Sequence, residues 1–275
     1  GLAGTSRLSA DLRWGTLSPL EVLVRSLAGR DPGAAGPASF ASELVWRDFY
    51  AHVLFWERRA ARESLDPRGD RLAWRNDPEE IAAWAAGRTG YPIVDAAMRQ
   101  LHATGFMHNR ARMIVASFLT KHLLADWRIG ERHFMAHLLD GDPASNNGGW
   151  QWSASTGTDA QPWFRIFNPI AQGERFDPDG DYVRRWLPEL ARVPTAAVHR
   201  PWTLDASKHG QTKLGTTTTV VINGTLTEIF HTSCSCKTNN FIPGSPACLD
   251  ASSPDNNTGS KGAPSPLFLV NDFKD

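Results

Sequence analysis

The sequence predicts an all-α fold for residues 1 to 204, followed by a small β-rich or partly disordered tail over residues 205 to 275. Apolar residues recur at spacings of three and four in several stretches before Leu204, which is typical of helices. All 11 Trp lie before this residue and all 3 Cys lie after it. Beyond it, threonine-rich sequence punctuated by Gly and Pro replaces the helical pattern. We therefore place a domain boundary near Leu204.

The first long helix is predicted to begin at Ser39. Its apolar residues at helical spacing, which we expect on the core side, are Val45, Phe49, Val53 and Trp56. A second face combines charged and aromatic residues: Glu43, Trp46, Arg47 and Tyr50. As an exposed i,i+4 pair, Glu43 and Arg47 would contribute only about 0.2–0.5 kcal/mol. The Trp between them instead indicates a surface that faces a ligand.

Further helices follow this one. Pro92 suits the first turn of a helix and Gly105 suits a helix end. Residues 106–127 predict one continuous helix, and the residues expected on its core side are Ile114, Phe118 and Leu119. Asn109, Arg112 and Met113 lie together on another side of it. The stretch GERHFMAHLLDGD predicts one more helix, ended by DGDP, and the nine His have no spacing typical of a metal site.

The stretch NNGGWQWSASTGTDAQPWFRIFNP, residues 146–169, has neither a helical nor a strand period. It holds three Trp and two Phe among small polar residues. Long irregular segments in compact domains are usually functional, and aromatic side chains are costly to leave in water. We therefore interpret this stretch as a loop that holds a flat ligand with a polar rim.

The tail has a different character. The β-prone runs TTTTVVING and TLTEIFHTS meet at Asn223-Gly224, a dipeptide favoured in hairpins. Its three cysteines, which fit neither a closed disulfide framework nor a zinc site, are Cys234, Cys236 and Cys248. We interpret residues 205–275 as an unrelated segment joined by gene rearrangement, and they predict no function.

Composition narrows the possible locations and partners. The net charge is +0 and the pI is about 7.3, so the global charge argues neither for nor against binding to nucleic acid. No apolar run is long enough to span a membrane, and the N-terminus lacks the apolar stretch of a secretory signal. We expect a protein that does not associate with membranes.

Five stretches in order carry a family resemblance: TSRLS at 5–9, ELVWRDFY at 43–50, GRTGYPIVDAAMRQL at 87–101, MHNRARM at 107–113 and DGDPASNNGGWQW at 140–152. Together they resemble the DNA photolyase/cryptochrome family, and more narrowly its bacterial cyclobutane pyrimidine dimer photolyases. The resemblance covers about residues 2–202.

The resemblance implies a helical domain that binds FAD and uses light-driven electron transfer from the reduced cofactor to split pyrimidine dimers. The implied partner is UV-damaged DNA with its dimer flipped out, since a dimer stacks and pairs poorly. A monomeric, cytoplasmic enzyme without a metal is expected. No antenna pigment is expected, because the domain that binds it in the family is not part of this sequence.

The resemblance also implies a set of FAD-binding residues: Thr5, Ser6, Arg7, Leu8, Ser9, Phe40, Glu43, Arg47, Asn109, Arg112, Asp140, Asp142 and Asn146. Residues 5–9 would cradle the phosphates, which need donors and positive charge. Arg112 and Asp140 would form an ion pair over the flavin ring. Asn146 would face the flavin N5, where a neutral amide suits an anionic reduced ring and a carboxylate would repel it.

The remaining implied residues serve electron transfer and DNA. Trp150, Trp127 and Trp74 would form an electron relay, and Glu43 would bond the thymine edges and stabilise the radical anion. The residues implied to contact the lesion are Trp46, Asn109, Arg110, Met113 and Trp152. The indoles of Trp46 and Trp152 would stack on the bases, and each such stack stabilises binding by about 1–3 kcal/mol. A phosphate-binding surface is expected from Arg110, Lys121, Arg128 and Arg132.

Two alternatives remain open. One is a photoreceptor of the cryptochrome type, which binds FAD and signals without repairing DNA. The other is an inactive fragment that does not retain FAD, because part of the family's flavin cradle lies upstream of TSRLS. The residues that favour the lyase are Glu43, Trp46, Asn109, Met113 and Trp152.

Overall fold

The computed structural model describes residues 5–29, 31 and 35–204, and within these ranges it contains ten α-helices and no strand. This confirms the predicted all-α class. None of the described helices is both long and apolar enough to cross a membrane. The predicted hairpin and the rest of the tail, residues 205–275, lie outside the described residues.

The helices are α1 (Ser9–Trp14), α2 (Pro19–Leu27), α3 (Ala35–Trp56), α4 (Pro78–Ala85), α5 (Pro92–Thr104), α6 (Asn109–Ser117), α7 (Trp127–His137), α8 (Pro143–Ala154), α9 (Pro169–Phe176) and α10 (Asp181–Trp186). They belong to two compact units. The first is built from residues 5–76 and 100–163, and the second from residues 77–99 and 164–204. All predicted site residues lie in the first unit, which contains α1–α3 and α6–α8.

Helix α5 confirms both of its predicted ends. Pro92 occupies the first turn, and Gly105 follows the last residue with a φ of +66°, which favours glycine.

In the second unit, the buried Asp95 carboxylate accepts hydrogen bonds from the backbone of Thr89 and Gly90. Burial raises the pKa of Asp95 to about 6, against the lowering effect of these bonds.

Helix α3 begins at Ala35 and buries a different face from the predicted one. Val45, Phe49 and Trp56 are 64%, 37% and 76% exposed. The buried residues are instead Phe40, Glu43, Leu44 and Tyr50, and the apolar ones pack against α1 and α2. Because α3 is apolar on more than one face, helical spacing alone could not identify the core side.

The predicted continuous helix over residues 106–127 is wrong. A π-helical turn at Phe118–His122 follows α6, and the chain then leaves helical geometry at Leu124, whose φ is +51°. Asp126 caps α7 by accepting a hydrogen bond from its first turn. Trp127 therefore begins a helix instead of ending one. The residues expected on the core side are buried as predicted: Ile114, Phe118 and Leu119.

The interpretation of residues 146–169 as irregular is wrong for its first part, which lies in α8. Asp142 caps this helix by accepting a hydrogen bond from Ser145 N at 2.8 Å, and Pro143 occupies its first turn. A Cβ on Gly148 would lie 2.2 Å from the Tyr50 ring. Packing thus overrides the low helix propensity of the two glycines, because the close approach of α3 and α8 requires one of them.

Helices α7 and α8 meet at Gly130 and Trp150. Trp150 is fully buried and lies edge-on to Phe134, with ring centroids 5.0 Å apart. A Cβ on Gly130 would lie 2.1 Å from the indole ring of Trp150. Only glycine therefore leaves space for this indole in the packed interior.

We predict that Gly130→Ala lowers the free energy of unfolding. Helix propensity alone would raise it by up to about 1 kcal/mol, whereas overpacking a core costs about 1–3 kcal/mol. The clash with Trp150 makes the second effect larger, so chemical denaturation should give a lower midpoint for the variant. Ala136→Ser, at an exposed position of the same helix, serves as the control. An unchanged or higher midpoint for Gly130→Ala would contradict this packing.

Candidate functional site

A cavity of about 440 Å³, partly open to solvent, lies in the first unit between α1, α3, α6, α8 and the segment 138–142. Six of the predicted cofactor-binding residues line it: Ser9, Arg47, Arg112, Asp140, Asp142 and Asn146. Five lining residues were not predicted: Leu12, Arg13, Leu138, Gly141 and Ser145.

The Arg112–Asp140 ion pair forms one wall of this cavity. Arg112 Nη2 donates to Asp140 Oδ2 at 2.7 Å, and the two side chains are only 6% and 5% exposed. Arg112 Nε donates to the backbone oxygen of Met107 at 2.7 Å, which fixes the plane of the guanidinium. Within the described residues, the buried Asp140 Oδ1 accepts no hydrogen bond. An unsatisfied buried acceptor beside a cavity fits a ligand that carries a donor.

Asn146, which lines the same cavity, holds a second buried acceptor. Its Nδ2 donates to the backbone oxygen and to Oε1 of Glu131, both at 3.0 Å. Because both of these partners are acceptors, the amide nitrogen must face Glu131 and Oδ1 must point away from it. This Oδ1 is buried and has no hydrogen-bond partner in the described part of the chain. Burial raises the pKa of Glu131, and the bond from Asn146 opposes that rise.

These groups fit a flavin ring. A buried guanidinium favours negative charge, and two unsatisfied oxygens on one cavity favour a flat ligand with N–H donors. A reduced flavin has both properties. The positive charge of Arg112 and the acceptor oxygens of Asp140 and Asn146 therefore agree with the FAD that the family resemblance implies.

The segment predicted to cradle phosphates contributes less than expected, since only Ser9 of residues 5–9 lines the cavity. Arg7 is exposed, with a φ of +54°, and its guanidinium lies 5.7 Å from the centre of the Phe106 ring. Arg13 lies one helical turn after Ser9 on α1 and supplies a cation that the sequence analysis missed. Its Nε donates to Gly141 O at 2.7 Å. The i,i+4 spacing from Ser9 was the available signal.

Besides Thr5, Ser6, Arg7 and Leu8, three more predicted cofactor-binding residues do not line the cavity. Phe40 is a core residue, 5% exposed, packed with α1 and α2. Glu43 is 3% exposed on the same helix, and Asn109, 4% exposed, is the first residue of α6. The structure buries all three near the cavity-forming helices, which leaves their contact with a ligand untested.

The predicted relay tryptophans all lie in the first unit, and none lines the cavity. Trp127 is 1% exposed, with the Arg128 guanidinium 4.7 Å from its ring centre. Trp74 is half-buried, and its ring centre lies 6.2 Å from that of Trp163. Trp150 is fully buried, so the exposure of the three indoles rises from Trp150 and Trp127 to Trp74.

The predicted lesion-contacting residues are more buried than a flat DNA-facing surface would suggest. Trp46 is half-buried and belongs to an aromatic group on α3, 5.3 Å from Phe49 and 6.1 Å from Tyr50. Trp152 and Met113 are 6% and 1% exposed. Trp46 is thus not the isolated exposed indole that the sequence indicated. Arg110 is half-buried at the start of α6.

The predicted phosphate-binding surface needs correction. Lys121 is only 5% exposed, donates to Ser155 Oγ at 2.6 Å and lies 3.7 Å from the Trp163 ring centre. Burial lowers the pKa of its ammonium to about 7, so it does not offer a solvated charge to DNA. Arg128 pairs with Asp70 and with Asp126, which offset its charge. Arg132 is exposed, as a phosphate contact requires.

The expectation of no metal-type arrangement is also wrong for the histidines. His102, His133 and His137 lie together, with their ligand atoms within 4.8 Å of one another. His133 and His137 are four residues apart on α7, and this spacing was the available signal. His102 comes from α5, which sequence spacing could not relate to them.

Comparison with known proteins agrees with this geometry. A family model described as the FAD binding domain of DNA photolyase matches residues 40–223. Deoxyribodipyrimidine photo-lyases of Salmonella typhimurium and Escherichia coli are 58% and 56% identical to this chain over 202 residues, which is 72% of the chain and 43% of each relative. The chain therefore spans less than half the length of these curated relatives.

The chain is also similar to solved structures of photolyases and cryptochromes. A class III photolyase from Agrobacterium tumefaciens matches with a TM-score of 0.72 and 46% identity, over 77% of this chain and 45% of that one. A cryptochrome from Synechocystis matches with a TM-score of 0.68 and 39% identity, over 75% and 43%. The chain belongs to the DNA photolyase family and carries its FAD-binding domain.

Proposed function

We propose that this chain is the catalytic part of a light-driven enzyme that splits cyclobutane pyrimidine dimers in DNA with bound FAD. The observation that carries this proposal is the cavity lined by the Arg112–Asp140 pair and Asn146. The relatives at 56–58% identity, named deoxyribodipyrimidine photo-lyase, support the same reaction.

Bound FAD supplies the light-driven electron transfer, and the protein supplies position and electrostatics. Arg112 would place its positive charge beside the ring and favour the negatively charged reduced form. Asp140 Oδ1 and Asn146 Oδ1 would accept hydrogen bonds from ring N–H groups and fix the ring orientation. The burial of all three side chains excludes water and strengthens these interactions.

Trp150, Trp127 and Trp74 would carry electrons from solvent to oxidised FAD. Two observations support this: Trp150 and Trp127 are almost completely buried, whereas Trp74 is partly accessible. Indole side chains are oxidisable, so three of them that differ in exposure could pass electrons between solvent and the flavin.

The lesion would contact α3, α6 and α8. Trp46 and Trp152 would stack on the dimer, and Met113 would pack against it, with Asn109 and Arg110 at its polar edges. Glu43 would bond the thymine edges. The aromatic group of α3 supports this surface, because base stacking on an indole contributes about 1–3 kcal/mol.

We also propose that the protein acts as a monomer in the cytoplasm. All lining residues of the candidate flavin cavity come from one compact unit of one chain, which supports a monomer. A cryptochrome-type photoreceptor is the second candidate, favoured by the match to the Synechocystis cryptochrome. Repair of a dimer-containing oligonucleotide under blue light would separate the two functions.

We predict that Glu43→Ala slows light-dependent repair while leaving FAD content nearly unchanged. Glu43 does not line the candidate flavin cavity, so its loss should remove stabilisation of the substrate alone. Loss of one charge-assisted hydrogen bond of about 1.5–3 kcal/mol corresponds to a decrease in repair rate of at least roughly tenfold. Repair is measured as the light-dependent loss of dimers from a synthetic oligonucleotide.

The matched control is Glu80→Ala, which removes a buried glutamate of the second unit. It should leave both repair and FAD content unchanged in the protein that stays folded. Parallel loss of repair and FAD in Glu43→Ala would assign Glu43 to the scaffold. A wild-type chain that binds FAD but repairs nothing would favour the photoreceptor.

We predict that Trp150→Phe blocks photoreduction of oxidised FAD yet spares repair by flavin that is already reduced. Phenylalanine fills most of the same space but is far harder to oxidise. Photoreduction is followed by the bleaching of the blue absorption band under illumination with an external reductant. Trp84→Phe, which alters an equally buried indole of the second unit, is the control. Normal photoreduction in Trp150→Phe would remove Trp150 from the relay.

A further inference from the structure

Three histidines of the first unit form a cluster outside the candidate flavin cavity. His102 lies in the last turn of α5, and His133 and His137 lie one turn apart in α7. His102 Nε2 and His133 Nε2 are 3.2 Å apart, and all three ligand atoms lie within 4.8 Å of one another. The three ring centroids lie 4.3–5.4 Å apart, with His102 edge-on to His133 and the other two pairs tilted.

The separation of the nitrogens matches a metal site. Two imidazole nitrogens bound to tetrahedral zinc at about 2.0–2.1 Å lie about 3.3–3.4 Å from each other. The observed 3.2 Å between His102 and His133 is close to that value.

The orientation of His137 is fixed in the way that metal ligands require. Its Nδ1 lies 2.8 Å from the backbone oxygen of His133, a partner that can only accept, so Nδ1 carries the proton. The lone pair of His137 is therefore on Nε2. A hydrogen bond from the non-ligating nitrogen to a backbone carbonyl is the usual arrangement around metal-bound histidines.

The position in the fold adds electrostatic support. Helix α5 ends at Thr104 and α7 ends at His137, so the cluster lies at two helix C-termini. Each C-terminus carries partial negative charge, which favours a bound cation. His102 and His137 are exposed and His133 is half-buried, so an ion can enter from solvent.

We propose that His102, His133 and His137 bind a divalent transition-metal ion of the zinc type, with a water in the fourth position. Three imidazoles and an open position are a ligand set that zinc accepts, and nickel or copper would compete for it. The ion would fasten the end of α5 to the end of α7.

The site would have a structural role next to the flavin cavity. Three residues after His137 the chain reaches Asp140, and the segment after α5 leads to Met107, whose carbonyl anchors Arg112. Leu139 N donates to Gly105 O at 2.9 Å, so the two segments already touch. A metal ion bound where these two segments begin would help to fix the positions of Arg112 and Asp140 relative to each other.

The test is a calorimetric titration of the untagged chain of 275 residues with zinc chloride. It is done in a background in which Cys234, Cys236 and Cys248 are changed to Ser, so that thiolates do not compete. We expect one strong zinc site per chain. His102→Gln and His137→Gln should each weaken it by at least about tenfold. His52→Gln, which changes an exposed histidine of α3, should leave it unchanged.

Two further readouts make the outcome decisive. Zinc should raise the Tm of the background protein but not that of His102→Gln, because only a ligand of the folded state stabilises it. Cobalt should give the intense visible absorption of a tetrahedral complex, and this band should be absent from His102→Gln. Circular dichroism checks that the variants are folded. No zinc binding, or equal binding in the His102, His137 and His52 variants, would overturn the proposal.

Discussion

The buried Arg112–Asp140 ion pair is the interaction on which the candidate site depends. Both side chains are about 5% exposed, so their desolvation costs several kcal/mol per ion, which only good geometry and additional hydrogen bonds offset. Arg112 makes such a bond by donating from Nε to Met107 O. Asp140, in contrast, has one buried oxygen without a partner among the described residues. A pair of this kind is weak evidence for stability. Its position on a cavity is strong evidence for a ligand that completes it.

Close backbone approach is the second constraint, because it places the walls of the site. Gly148 admits the Tyr50 ring between α3 and α8, and Gly130 admits Trp150 between α7 and α8. These contacts bring Asn146 to the cavity and hold it against Glu131. The glycines therefore allow the aromatic rings to pack closely, and this packing outweighs the lower helix propensity of glycine in α8.

Local signals, which rest on chemistry within a few residues, predicted the fold class and the two ends of α5. The family resemblance, and not local chemistry, implied six of the residues that line the cavity. The failures all depend on tertiary packing. The buried face of α3 could not be chosen because Val45 and Phe49 are as apolar as the residues it buries. The helical state of residues 146–154 and the meeting of His102 with α7 depend on neighbours distant in sequence.

The most direct test of the central claim is the dissociation constant of FAD for Asn146→Leu and Asn147→Leu. Both side chains are buried in α8, but only Asn146 lines the cavity, while Asn147 donates to Ala60 O elsewhere. If Asn146 accepts a bond from the flavin, its loss leaves a buried donor unsatisfied at about 1–3 kcal/mol and weakens FAD binding roughly five- to 150-fold. Asn147→Leu should bind FAD as the wild type does. Equal affinities in the two variants, or a wild-type chain that binds no FAD, would contradict the account.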